Sequence, residues 1–250
     1  MINFAGAVTE QNGNDTADFS TQMCHGLRGK ARTFSMGHLQ LFWAGEGAGC
    51  VERHESSGLV IAVQGTPWLD DTALAKRSDS HGLADALAEG YRAYGDDLLQ
   101  RLKGDFALAI MDPDTPRVLV ATDRFAARRM HVAEVDGKIF FGTCLDPIKA
   151  ADPALSRVSV EALYRYLYFY AIPSPHTVYH GIRRLEPGHA CAWTPDGATT
   201  LRYWEPQFGP SSAYAFSTAR DDFFQALESA VGRVCAEGRR VGAFLSGGLD

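Results

Sequence analysis

The most suggestive chemistry in this sequence lies in residues 241–250, VGAFLSGGLD, where an apolar run is followed by a serine, two glycines and an aspartate. A glycine-rich loop after a buried strand presents backbone N–H groups that can surround phosphate, since no side chains obstruct them. The serine would add a hydroxyl donor, the leucine main chain could face a nucleotide base, and the aspartate would act through magnesium. The candidate nucleotide- and phosphate-binding residues are Leu245, Ser246, Gly247, Gly248 and Asp250, with Asp250 as the candidate magnesium ligand. A plain Gly-Gly turn has the same local pattern.

Composition limits the classes of partner. The chain has 250 residues with 46% hydrophobic and 22% charged side chains, enough for one large core or two domains. Its net charge of -6, without a block of Lys or Arg, argues against nucleic acid and anionic membranes. No apolar run approaches the roughly 20 residues that span a bilayer, and the N-terminus lacks a signal-peptide pattern. Five scattered cysteines fit a reducing compartment, so we expect a cytoplasmic protein.

Strands and hairpins dominate the pattern as far as Trp204. Helices are predicted near residues 81–95, where Leu83, Leu87 and Tyr91 recur every four residues, and near residues 161–172. The predicted strands cover residues 58–65, 105–111 and 117–121, and further hairpins surround the turns at residues 136–137 and 195–197. This order predicts antiparallel sheets covered by a few helices.

After Trp204 the pattern changes. Residues 206–216 are rich in Pro, Gly and Ser without periodicity, which predicts a linker between a domain at residues 1–205 and a second at residues 217–250. The second domain begins with an amphipathic helix over residues 217–238 and continues with a strand that enters the Ser-Gly-Gly loop. One helix and one strand cannot bury each other's faces, so this domain is predicted to be truncated.

Several motifs together resemble the asparagine synthetase family. FLSGGLD is similar to the family's pyrophosphate loop, Ser-Gly-Gly-x-Asp-Ser. Five other stretches, all earlier in the chain, resemble the family and occur in its order. These are YGDDLLQRLKGDFALAIMD, ATDRFAARRMHV, IFFGTCLDPIKA, IPSPHTVYHGIRRLEPGHACAW and RYWEP. The resemblance implies an α+β fold: a four-layer αββα sandwich of the Ntn-hydrolase type, with two antiparallel sheets between helices, then the first helix and strand of an α/β ATP-pyrophosphatase domain. It also implies a fragment cut inside its nucleotide loop.

The same resemblance places a glutaminase nucleophile at position 2. The family begins Met-Cys-Gly-Ile-Ala-Gly, and the cysteine thiolate attacks the glutamine amide while the free α-amine acts as base. This chain begins MINFAG, which retains Ala5 and Gly6 but places Ile2, without a nucleophilic atom, at the cysteine position. Cys24 is expected inside the first helix and cannot substitute. The resemblance therefore predicts a glutaminase half without a catalytic nucleophile.

Other glutamine-binding positions also depart from the family's pattern. Gln40 aligns with an arginine that would hold the substrate carboxylate, and an amide lacks that charge-assisted fork. Gln64-Gly65-Thr66 replaces Asn-Gly-Glu, so that only the Gly65 N–H could still stabilise an oxyanion. Leu83 aligns with the aspartate that would bind the substrate amine. These changes predict a pocket that no longer binds glutamine.

Three functions are compatible with these observations. The first is the N-terminal part of an ATP- and magnesium-dependent ligase that adenylates a small-molecule or peptide carboxylate. Free ammonia or a substrate amine then attacks the adenylate, as in the β-lactam synthetases and lasso-peptide cyclases; the 250-residue chain by itself is expected to be inactive. The second is a glutamine-hydrolysing asparagine synthetase, and the third is a non-catalytic scaffold. A homodimer is an expectation from the family.

Two other stretches are predicted to have only structural roles. Residues 78–81 contain Ser, Asp and His, but sequence neighbours rarely form a catalytic triad, so a polar loop is predicted there. The aromatic residues between 164 and 170 are predicted to pack between layers. They are Tyr164, Tyr166, Tyr168, Phe169 and Tyr170.

Overall fold

The computed structural model describes residues 1–9, 16–209, 215–235, 241–243 and 247. The chain divides into two compact units, Met1–Glu205 and Pro206–Asp250. Among the described residues, no helix has the length and apolar character needed to cross a membrane.

The first unit is built on two six-stranded antiparallel sheets, with strand orders β12-β10-β11-β1-β3-β2 and β14-β13-β9-β8-β5-β4. Two further short strands, β6 and β7, pair with each other. The strands are β1 (Asn3–Val8), β2 (Arg32–Met36), β3 (Leu39–Ala44), β4 (Gly49–Arg53), β5 (Val60–Gly65), β6 (Trp68–Leu69), β7 (Leu102–Lys103), β8 (Phe106–Asp112), β9 (Arg117–Thr122), β10 (His131–Val135), β11 (Lys138–Gly142), β12 (Ile182–Arg184), β13 (His189–Thr194) and β14 (Gly197–Arg202).

Helices cover the outer face of each sheet. The helices of the first unit are α1 (Thr16–Gly26), α2 (Thr72–His81), α3 (Leu83–Tyr94), α4 (Leu98–Arg101), α5 (Leu145–Ala151) and α6 (Val160–Phe169). Phe19 and Met23 of α1 and Ile148 of α5 share a core with the first sheet. Leu74 of α2 and Leu87 of α3 share another with the second sheet. The predicted four-layer arrangement of helices around antiparallel sheets is therefore observed.

Alternation along the strands produces the core between the sheets. On β1, Phe4 and Val8 face the second sheet, whereas Ala5 and Ala7 face the helices. Because side chains on a strand alternate between faces, a strand buried on both sides carries apolar residues at nearly every position. β8 is such a strand: every residue from Phe106 to Asp112 is buried.

The predicted strands, hairpins and helix α3 are confirmed, with ends shifted by a few residues. Asp136 and Gly137 both adopt positive φ, as a tight turn between β10 and β11 requires. The polar loop predicted at residues 78–81 is wrong, because these residues end α2. The Asp71 carboxylate accepts hydrogen bonds from the N–H groups of Ala73 and Leu74, at 2.9 and 3.0 Å, and so caps this helix.

The prediction that the α6 aromatic residues pack between layers is also wrong. Tyr164, Tyr168 and Tyr170 are 69%, 70% and 86% exposed, and Tyr166 and Phe169 are exposed as well. Both helical pattern and composition had favoured burial, but in the first unit only Ala162 of this helix is buried. An apolar pattern indicates which face can be covered, and the tertiary structure decides whether anything covers it.

The second unit contains α7, Phe216–Cys235, close to the predicted bounds. Its apolar side chains Phe223, Leu227 and Val231 are exposed. Residues 241–243, where a strand was predicted, are in neither helix nor strand. A strand requires a hydrogen-bonded neighbour, and α7 is the only regular element among the described residues of this unit.

Candidate functional site

The candidate site lies at the start of β1, where a glutamine from the other sheet closes over the chain. The Gln64 amide nitrogen, at the end of β5, donates to the carbonyl oxygen of Ile2 at 2.7 Å and to Oδ1 of Asn3 at 2.9 Å. Gln64 is buried. Because both donor positions of this amide are directed at residues 2 and 3, the side chain fixes the position of the first residues of β1.

Met1 is held against the loop that follows β3. A Cβ placed on Gly45, whose φ is +95°, would lie 2.4 Å from the Met1 carbonyl oxygen. Only glycine permits this approach of the two backbones, since any side chain there would overlap the Met1 carbonyl. The amino terminus is close to the next glycine as well: a Cβ on Gly47 would stand 3.6 Å from the Met1 nitrogen.

An ion pair completes this end of the sandwich. Arg128 Nε lies 2.6 Å from Asp105 Oδ2, and Arg128 Nη1 donates to the sulfur of Met1 at 3.0 Å. Thr66 Oγ1 donates to Asp105 Oδ1 at 2.7 Å. Burial by itself would raise the pKa of Asp105, but the hydrogen bonds from Thr66 and Arg128 outweigh it and hold this pKa below its ordinary value.

A buried aspartate positions Arg128. Asp123 accepts hydrogen bonds from the backbone N–H groups of Phe125, Ala127 and Arg128, at 2.9, 3.1 and 2.9 Å, so the turn after β9 folds around one carboxylate. Ala126 within this turn has a φ of +51°. Residues with a Cβ disfavour this left-handed conformation, which glycine adopts readily.

The four described thiols of the first unit all have raised pKa values. Burial raises the pKa of Cys50 to about 12 and that of Cys144 to about 11, and it also raises the pKa values of Cys24 and Cys191. Nucleophilic cysteines need a lowered pKa, because the thiolate is the reactive form. Cys24 lies in α1, as expected from its position in the sequence.

Gln40, aligned with the substrate-carboxylate arginine, is not brought to Ile2. Gln40 pairs with Ala7 across the sheet, whereas Asn3 pairs with Ala44. Its Oε1 accepts a hydrogen bond of 2.6 Å from the hydroxyl of Ser20, so the amide links β3 to α1.

Gly65 and Leu83 are likewise engaged in structural contacts. The Gly65 N–H, the potential oxyanion donor, donates to the Ala48 carbonyl oxygen at 3.3 Å. Leu83 packs against the core between the second sheet and its helices. The nearest carboxylate in sequence on this helix, Asp85, is bound by Arg77 and by Nε2 of His54.

Sequence reasoning missed the residues that surround Met1 and Ile2. Asp105, Arg128 and Asp123 were not singled out, although all three lie within stretches that resemble the asparagine synthetase family. The polar Asp105 directly before the apolar run at residues 106–111 was a usable signal, since such a residue stands at the end of a buried strand. The partner of this aspartate is 23 residues away in sequence, and no local pattern indicates that pairing.

Of the predicted pyrophosphate-binding residues, only Gly247 is described. It has a φ of +74°, and no atom of the other described residues lies within 4 Å of the place where its Cβ would stand. An accessible backbone in the left-handed region fits a loop that presents N–H groups to phosphate. Leu245, Ser246, Gly248 and Asp250 lie outside the described residues.

Comparison with known proteins shows the family of the first unit. The sequence profile of the glutamine amidotransferase domain matches residues 69–204. A putative asparagine synthetase (glutamine-hydrolyzing) of Mycobacterium tuberculosis strain ATCC 25618 / H37Rv is 30% identical over 176 residues, which cover 68% of this chain and 27% of that protein. Asparagine synthetase (glutamine-hydrolyzing) 1 of Bacillus subtilis strain 168 is 26% identical over 171 residues, covering 66% and 26%. The chain thus spans about a quarter of the length of these relatives.

Solved structures show a related fold. Glutamine phosphoribosylpyrophosphate amidotransferase from B. subtilis superimposes with a TM-score of 0.51 at 14% identity, over 82% of this chain and 50% of that one. A structure described as the allosteric regulatory enzyme of purine biosynthesis gives a TM-score of 0.50, also at 14% identity, over 82% and 49%. At this identity the similarity concerns the fold.

Proposed function

This chain belongs to the glutamine amidotransferase domain family, in its asparagine synthetase-like form. We propose that, within this family, its amidotransferase half has lost the ability to hydrolyse glutamine. We further propose that it forms the N-terminal part of an ATP-dependent ligase. That ligase would adenylate a carboxylate and join it to free ammonia or to an amine of the substrate.

One observation carries the first proposal: the Gln64 amide is bonded to the Ile2 carbonyl oxygen at the position where the family has its nucleophile. Ile2 has no atom that could attack an amide, and Gln64 and Asn3 use one another's polar groups there. The Gly65 N–H, which would have to stabilise an oxyanion, is directed at Ala48. The raised thiol pKa values support the same conclusion, because they leave no activated sulfur among the described cysteines of this unit.

The ligase proposal rests on the resemblance at residues 244–250 and on the open backbone of Gly247. In this proposal Ser246, Gly247 and Gly248 hold the pyrophosphate of ATP through the hydroxyl and the loop N–H groups, and the Leu245 main chain meets the base. Asp250 holds magnesium, which supplies charge neutralisation for the departing pyrophosphate. In this proposal the described side chains of the first unit contribute no step to the adenylation chemistry.

Ammonia release from glutamine by the purified protein tests the first proposal. We expect no release above the buffer level. The variant Ile2→Cys, with Met1 removed, separates loss of the nucleophile from loss of the pocket. It is also expected to be inactive, since it restores neither the arginine at position 40 nor the aspartate at position 83. Glutamine hydrolysis by the unsubstituted protein would overturn the proposal, whereas hydrolysis only by the variant would show an intact glutamine pocket.

A second candidate function is glutamine-dependent asparagine synthesis, because the relatives that match this chain carry that name. ATP–pyrophosphate exchange, measured on the product of the full reading frame with aspartate and other carboxylates, separates the candidates. Exchange without glutaminase activity is expected. Exchange driven by aspartate together with ammonia release from glutamine would favour the second candidate, and no exchange with any carboxylate would favour a scaffold.

A further inference from the structure

A cavity of about 400 Å³ opens at the end of the sandwich opposite to Ile2. Thr9, which directly follows β1, lines it, whereas Ile2 directly precedes β1. A strand of this length spans about 20 Å, so the cavity and the candidate site are well separated. Its walls come from hairpins of both sheets, and its volume falls in the range typical of sites for small organic molecules.

Two carboxylates and an indole face this cavity. On β10, Val132 belongs to the core between the sheets, and Glu134, two residues further, projects from the same face. On β13, Cys191 and Trp193 have the same relationship. Asp196 joins the lining from the turn between β13 and β14. Within the described part of the chain, neither Glu134 nor Asp196 forms an ion pair.

The ring of His38 also lines the cavity. His38, in the turn between β2 and β3, has its Nε2 buried and unpartnered among the described residues. The ring lies 6.3 Å from that of Trp193, measured between centroids. Burial lowers the pKa of His38 below its ordinary value, so the ring is neutral near pH 7 and adds no positive charge to the cavity. Because Nε2 has almost no accessible surface, it is not a contact point for a molecule in the cavity.

We infer that this cavity binds a small organic cation, an alkylammonium or alkylguanidinium, through Glu134, Asp196 and the indole of Trp193. Carboxylates and an aromatic face both attract a cation, and a short alkyl body fits the apolar part of the lining. An anion would be repelled by the two carboxylates. A metal ion fits poorly, since the described residues include no group of three or more ligating His, Cys, Asp or Glu side chains.

Nuclear magnetic resonance of the Trp193 indole tests the inference. The chain has four tryptophans, and Trp193→Phe identifies the signal. Butylammonium and propylguanidinium, titrated to about 10 mM, are expected to shift this signal, whereas butanol and butyrate are not. A capped tripeptide that contains lysine or arginine distinguishes the side chain of a protein partner from a free amine. If the peptide binds at least as tightly as the free cations, the cavity is assigned to a basic residue of a protein partner.

Charge-removing variants make the test specific. Glu134→Gln and Asp196→Asn are each expected to weaken cation binding about tenfold, which corresponds to about 1.4 kcal/mol, and the double variant to abolish it. Glu55→Gln, an exposed carboxylate outside the cavity, is the control and should bind as the unsubstituted protein does. Both cavity carboxylates are exposed, so the variants should fold normally, as urea unfolding would verify. Absence of a shift with either cation, an equal shift with butanol, or undiminished binding by the double variant would overturn the inference.

Discussion

The side-chain amide of Gln64 donates a 2.7 Å hydrogen bond to the carbonyl oxygen of Ile2, and this bond ties the end of β5 to the start of β1. The two strands belong to different sheets, so the bond crosses the sandwich. In this chain the contact is structural, and its energetic consequences can be measured.

Gln64→Ala should lower the free energy of unfolding by about 1 to 2 kcal/mol, because it leaves the partly buried Ile2 carbonyl and Asn3 amide oxygen without this donor. Urea unfolding followed by tryptophan fluorescence measures this change. Gln100→Ala is the matched control, since Gln100 is exposed and its side chain contacts only the nearby Asp97. Equal effects of the two substitutions would contradict the structural role of Gln64.

Arg128→Met should lower the free energy of unfolding by about 1 kcal/mol at pH 7, because Asp105 loses its cation while remaining partly buried. The pKa of Asp105 is lower in the folded protein than in the unfolded one, so its contribution is present above the ordinary carboxyl pKa and is lost as pH falls through the folded value. As pH falls below 5, the free energy of unfolding should therefore decrease less in the variant than in the parent. Arg129→Met, an exposed neighbour with no ion pair in the described chain, should change neither property.

Ala126→Gly should raise the free energy of unfolding by about 0.5 to 1 kcal/mol. Ala126 has a φ of +51°, which costs energy for a residue with a Cβ, and relief of this cost exceeds the entropy that glycine adds to the unfolded chain. Ala73→Gly, at an exposed position in α2, should instead lower the free energy of unfolding, by about 1 kcal/mol. Thermal melts of both variants give the comparison, and destabilisation by Ala126→Gly would contradict the assigned strain.

His131 should make stability fall with acid. Burial lowers its pKa from 6.5 to about 4, and its Nδ1 lies 3.3 Å from the Gly142 carbonyl oxygen. Between pH 6.5 and pH 4, His131 is protonated in the unfolded chain and neutral in the folded protein. The free energy of unfolding therefore decreases by about 3 kcal/mol as pH falls from 6.5 to 4. Unfolding curves measured across this pH interval for the parent and for His131→Asn give the contribution of His131 to the pH dependence of stability. His81→Asn, at an exposed position, should leave the slope unchanged, and an unchanged slope in His131→Asn would disprove the assignment.

Local sequence was sufficient for most of the sandwich. β5, β8 and β9 follow from β-branched and apolar runs, and the turn at Asp136-Gly137 follows from the positive φ values that this pair tolerates. It was insufficient for α2, whose polar residues 72–81 have weak periodicity and whose first turn depends on the Asp71 cap. It also misjudged the exposed aromatic residues of α6, because periodicity describes a helix face and contains no information on its neighbours.

The residue types by themselves determined that position 2 has no nucleophile, since no tertiary arrangement can give an isoleucine side chain a reactive atom. Only the tertiary structure decided which residues surround position 2: Gln64, Asp105, Arg128 and Met1 come from four separate segments that meet at one end of the sandwich. The cavity at the other end is likewise formed by turns distant in sequence. Strand periodicity is set by neighbouring residues, whereas contacts between sheets depend on register and on how the layers pack, and these are properties of the folded chain.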